Sequence, residues 1–96
     1  MINSIQQVPP QIDFGFGATA KGVSRNTTVT IWLSTLYNED AYSFTLLSQY
    51  GSVIKNSNYE YLLTLAQPGS YSISLAVTQK ATGIRLMSNT LTLTIY

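Results

Sequence analysis

An alternation of apolar and polar residues, repeated through most of this chain, restricts what it can fold into more than any other feature. Tyr71, Ile73, Leu75 and Val77 are interleaved with Ser72, Ser74, Ala76 and Thr78, and Leu91, Leu93 and Ile95 with Thr92 and Thr94. Successive side chains of a β-strand point to opposite faces, so this period builds strands with one dry face and one wet face. The same pattern puts Val29, Ile31 and Leu33 on one face and Thr28, Thr30 and Trp32 on the other. It recurs in Tyr42, Phe44 and Leu46, in Tyr59, Tyr61, Leu63 and Leu65, and near the start in Ile12, Phe14 and Phe16, which are expected to share one face of a strand ending in glycines. No segment carries the 3.6-residue apolar stripe of an amphipathic helix.

Turn residues punctuate these runs. Asn38-Glu39-Asp40, Gln49-Tyr50-Gly51-Ser52, Gln67-Pro68-Gly69 and the Gln79-Lys80-Ala81-Thr82-Gly83 loop are each rich in residues that favour turns, with Gly83 suited to a positive φ. Val53-Ile54 reads as a short strand before the polar run Lys55-Asn56-Ser57-Asn58. About seven short strands with turn signals every 8–12 residues or so predict an all-β, antiparallel sandwich. Val8-Pro9-Pro10 favours an extended path, so residues 1–10 are expected to form an arm or linker and residues 11–96 one domain.

The chain has 96 residues, enough for a single core, and no cysteine to brace it. Charged residues make up only 9% of it, against about 25% in an average soluble protein. Ser, Thr, Asn, Gln and Tyr fill the gap, a surface chemistry that fits an extracellular module or a piece of a larger assembly. The net charge of +1 comes from five scattered cations, Lys21, Arg25, Lys55, Lys80 and Arg85, and offers no basic field for nucleic acid. No apolar run approaches the roughly 20 residues of a membrane helix. Met1-Ile2-Asn3-Ser4-Ile5 lacks the features of a signal peptide. Two readings of that start stay open: an intracellular or viral protein, or a domain taken from a longer secreted chain.

Residues 42–95 resemble the PKD-like branch of immunoglobulin-like domains. The resemblance is strongest in Pro68-Gly69-Ser70-Tyr71-Ser72-Ile73-Ser74-Leu75-Ala76-Val77-Thr78, which is similar to that family's Pro-Gly-x-Tyr followed by alternating apolar residues. Phe44 stands where the family usually has a Trp, and Tyr50-Gly51 where it has an Asp/Gly-rich turn. The resemblance implies an immunoglobulin-like sandwich acting as a spacer or interaction module in bacterial cell-surface or secreted proteins, including glycan-utilisation lipoproteins. Tyr71, two residues after the turn glycine Gly69, is expected to fold over the end of the sandwich and bond an upstream backbone group. Ile73 takes the place where a disulfide sandwich would carry a cysteine, with Ile31 facing it.

Chemistry has little to work with. Histidine is absent along with cysteine, which excludes Ser-His and Cys-His nucleophile systems. Asp13, Glu39, Asp40 and Glu60 are far apart in sequence apart from the Glu39-Asp40 pair, which reads as a solvated turn. No enzyme activity, metal or cofactor is expected. The candidate binding residues are aromatic: Trp32, on the face opposite Val29, Ile31 and Leu33, and Tyr59 and Tyr61, at i and i+2. Exposed rings of this kind stack on sugars or anchor protein interfaces. The expected role is a spacer or docking module at the cell surface or outside the cell, its partner a neighbouring domain, another protein or a glycan. The alternatives are a phage or viral capsid-decoration or tail domain of the virion and a carbohydrate-binding module.

Overall fold

The alternating runs pair into two sheets in the computed structural model, which describes residues 9–48 and 51–96. One sheet has four strands in the order β1 (Ile12–Asp13), β3 (Thr28–Leu33), β6 (Glu60–Thr64) and β5 (Ser52–Ser57). The other has the order β2 (Ala20–Val23), β9 (Leu91–Ile95), β7 (Gly69–Gln79) and β4 (Tyr42–Leu47), with β8 (Arg85–Met87) pairing the second half of β7. All pairings are antiparallel except β2 with β9, which run parallel. Taking β1 with β2 as one divided first strand and β8 with β9 as one interrupted last strand reduces nine segments to seven. Their order is that of an all-β, immunoglobulin-like sandwich.

The dry faces of the strands meet between the sheets. Val29, Ile31, Leu33, Tyr61, Leu63 and Leu65 come from one side, and Tyr42, Phe44, Ile73, Leu75, Val77, Leu91, Leu93 and Ile95 from the other; all are buried. Ile31 and Ile73 are both fully buried, so apolar packing fills the place of an inter-sheet bridge. Tyr71 makes the expected corner: its hydroxyl donates to the Gln67 carbonyl at 2.8 Å, four residues upstream. Gly83 turns the β7–β8 hairpin at φ +75°. Residues 1–8 of the expected arm and residues 49–50 of one expected turn lie outside the described residues. Pro10 is fully buried and belongs to the body of the domain.

Two expectations are corrected, and one strand is new. The first strand ends at Asp13 instead of continuing to Phe16, because the chain must cross here from one sheet to the other. Gly15, Phe16 and Gly17 have φ values of +114°, +52° and +79°, and the Phe14 N–H donates to the Ala18 carbonyl at 2.8 Å. This closed turn keeps Phe14 in the core and turns Phe16 out. The short strand expected at Val53-Ile54 extends through the polar residues Lys55-Asn56-Ser57, which form the second half of β5 and pair with β6 through an irregularity after Lys55. Finally, β2 was not evident from the sequence: Ala20-Lys21-Gly22-Val23 has no alternation and is a strand because β9 offers it a free edge.

Two side chains close sheet edges. In the β1–β3 pair, Ser34 N–H donates to Gln11 O, so the alternation of an antiparallel ladder turns the amide and carbonyl of Ile12 away from β3. Asn89, in the break between β8 and β9, meets both of them: Oδ1 accepts from Ile12 N–H at 2.8 Å and Nδ2 donates to Ile12 O at 2.9 Å. On the opposite side, Lys55 reaches from β5 and donates its Nζ to the Phe44 carbonyl of edge strand β4 at 2.8 Å. An inward-turned lysine is one of the means by which proteins block strand addition at an edge.

Candidate interaction surface

The outer faces of the two sheets differ in chemistry. That of the five-stranded sheet carries mostly hydroxyls, among them Ser43, Thr45, Ser72, Thr78 and Thr92. That of the four-stranded sheet carries Trp32, with Leu62 half-buried and Ile54 exposed in the adjoining row. Trp32 is 42% exposed, as its place in the alternation requires. It is directly opposite Asp13 on β1 and Glu60 on β6, so one row across the sheet reads Asp13–Trp32–Glu60.

The Gly15–Gly17 turn rises beside this row. Asp13 holds its base, accepting the Gly15 N–H at Oδ1 over 2.8 Å. Gly15 lies so close to the indole that a β-carbon there would sit 3.9 Å from Trp32 Nε1. At the tip, Phe16 projects its ring wholly into solvent, and Asp13, Gly15, Phe16 and Trp32 line a shallow depression. The site brings two exposed rings and a carboxylate to one depression. Phe16 was not among the candidates from sequence, although a Phe between two glycines, three residues after Asp13, was a visible signal for a turn that presents its middle residue.

The two tyrosine candidates prove to be internal. Tyr61 is fully buried; its hydroxyl donates to Asn58 O at 2.7 Å, and burial, with Tyr59 nearby, pushes its pKa up to about 12. Its alternation with Leu63 and Leu65 places it on the core face, where no external ligand reaches it. Tyr59 is half-buried and braces the connection between β3 and β4: its hydroxyl donates to Tyr37 O at 2.9 Å and accepts from Tyr37 N–H at 3.2 Å. Its ring packs 5.9 Å from that of Phe44, itself buried. Burial also raises the pKa of Tyr37, with Tyr42 and Tyr59 adding to the effect.

The other two carboxylates, Glu39 and Asp40, lie apart from this row in the β3–β4 connection. Glu39 accepts from Asn58 Nδ2, and the Asp40 N–H donates to Asn38 Oδ1 at 3.1 Å within the expected turn. Among the described residues no three His, Cys, Asp or Glu side chains come together as metal ligands would. The described residues include no helix long and apolar enough to cross a membrane.

No family model matches the chain, and no curated protein matches it. Among solved structures it is similar to the endo-beta-1,4-mannanase from Thermotoga petrophila, with a TM-score of 0.52 and 9% identity over 97% of this chain. The match covers 20% of the mannanase chain, and at that identity it speaks to fold alone. The class defined by strand order and core is therefore the all-β, immunoglobulin-like sandwich.

Proposed function

We propose that this domain is a non-catalytic docking module whose contact surface is the outer face of the four-stranded sheet. One observation carries the reading: Phe16 is held at φ +52° with its ring wholly in water, beside the exposed Trp32. The left-handed region costs a non-glycine residue about 1 kcal/mol or more, and an unburied aromatic ring returns nothing to folding. Such a residue weakens the isolated domain, and strained positions of this sort cluster where a protein meets its ligand. The lack of His and Cys supports a non-catalytic role.

The wider setting is proposed on the same footing. The low charge and the PKD-like segment around Tyr71 support a unit of a larger bacterial surface or secreted protein. A virion accessory domain is the alternative setting for the same surface.

Two measurements test the docking reading. Phe16→Gly should raise the unfolding free energy by about 0.5–1 kcal/mol in urea titrations. A photoreactive phenylalanine analogue at position 16 should crosslink to a partner in the source cells, while the same analogue at Thr45 on the hydroxyl face should not. Equal crosslinking from both positions, or a Phe16→Gly domain that is less stable than the parent, refutes it. The exposed Trp32 beside the Asp13 carboxylate also favours a second reading, glycan binding, which fails if millimolar β-1,4-manno-oligosaccharides leave the fluorescence of Trp32 unchanged.

A further inference from the structure

The docking face has a charge pattern that its rings do not account for. The row Asp13–Trp32–Glu60 puts an exposed indole between two of the chain's four carboxylates. Asp13 commits Oδ1 to the Gly15 N–H, and Glu60 meets Asn56 Nδ2 only at 3.5 Å. Among the described residues no Lys or Arg shares the face. Lys55 is turned toward Phe44, Lys21 is on β2 in the other sheet, Lys80 and Arg85 belong to the β7–β8 hairpin, and Arg25 is in the turn at the far end of β3 from Trp32. A chain of net charge +1 thus carries a local acidic patch with an aromatic ring at its centre.

We propose that this row receives a cationic side chain, arginine in particular, from an extended basic segment of a partner. The inference rests on the docking reading above and names the partner's chemistry. A guanidinium is planar and weakly hydrated, so it can lie on the indole while its N–H groups reach toward the carboxylates on either side. Trp is the strongest cation–π partner among side chains, and charge-assisted bonds to carboxylates are the stronger class of hydrogen bond. A neutral partner covering the same row would dehydrate two carboxylates without replacing their charge partners. Complementarity of charge therefore selects the occupant.

Trp32 is the only tryptophan, so its fluorescence reports on this site alone. The probe is a blocked tetra-arginine peptide, compared with its tetra-citrulline analogue, which keeps the shape and loses the charge, and with β-1,4-mannotetraose. Tetra-arginine should give a saturable change that weakens severalfold as salt rises from about 20 to about 200 mM, since exposed charges are screened over roughly 10 Å. The double variant Asp13→Asn, Glu60→Gln should bind about tenfold more weakly, taking each exposed charge pair at roughly threefold. Asn at position 13 retains an oxygen for the Gly15 N–H, and circular dichroism checks that the sheet is intact.

Equal responses to citrulline and arginine, or full binding by the double variant, overturn the cation assignment. If mannotetraose alone gives the saturable response, the face docks a ligand of another chemistry, so the cation assignment fails while the docking reading stands. Concentration-dependent dimerisation that buries Trp32 gives the face to a second copy and also overturns the assignment. Silence from every probe, together with no crosslink from position 16, removes both readings.

Discussion

Replacing Asn89 with alanine removes two hydrogen bonds at once, and strands a backbone amide and a backbone carbonyl that point away from their own sheet. Both bonds are short, 2.8 and 2.9 Å, and both go to Ile12, which is 2% exposed. A single bond contributes about 1 kcal/mol net, while a buried group left without a partner costs about 1–3 kcal/mol. Water reaches this partly buried site to some extent, so the sum is about 2–4 kcal/mol, a large share of the roughly 5–15 kcal/mol that holds a domain of this size together. The melting temperature should fall by about 10–25 °C. Urea unfolding followed by circular dichroism measures this directly, and the slope with denaturant should be unchanged, because the same surface is exposed on unfolding. Asn89→Asp gives the sharper reading. Its carboxylate still accepts from Ile12 N–H but faces the Ile12 carbonyl, so the protonated form is favoured in the folded state and its pKa is raised there above the unfolded value of about 3.9. The variant should therefore recover stability below about pH 4 and lose it as pH rises through the folded-state value. A loss below about 0.5 kcal/mol for Asn89→Ala, or no recovery of Asn89→Asp in acid, would refute the idea that this side chain completes the β1 edge.

Alkali should destabilise the domain through Tyr61. Its pKa is about 12 in the fold against 10.0 for the free group, so its contribution is intact below pH 10 and is lost as pH rises through about 12. The full effect is about 2–3 kcal/mol. Tyr61→Phe should flatten this alkaline limb in a pH series of unfolding curves; an unchanged limb would assign it to other groups. Lys55→Met should uncover the Phe44 carbonyl on β4 and produce dimers or larger species that grow with concentration in light scattering, at a stability cost of about 1 kcal/mol. A strictly monomeric variant would show that the lysine does not guard the edge.

Local chemistry made part of the fold and site legible. Tyr71 could be placed because a turn glycine and a β period surround it, and both act over a few residues. Trp32 was assigned to the outer face by parity with Ile31 and Leu33, and its exposure follows from that parity. Parity also governs Tyr61, but it says only which residues share a face; it took the packing of this sheet against the other to show that this face is the core. Phe16 continues the parity of Ile12 and Phe14 on paper, and three successive positive φ values break it in space.

The sequence by itself determined the class of this protein: strands with one dry and one wet face, few charges, and no His or Cys. These properties are set by the period of the backbone and by composition, neither of which depends on distant contacts. Only the tertiary structure decided where the chain changes sheets, that β2 joins β9, and that Asn89 seals a strand 77 residues away. It also brought Asp13, Trp32 and Glu60 into one row. Residues so far apart become neighbours only through strand pairing and edge closure, and a local pattern carries no record of which strand will lie beside it.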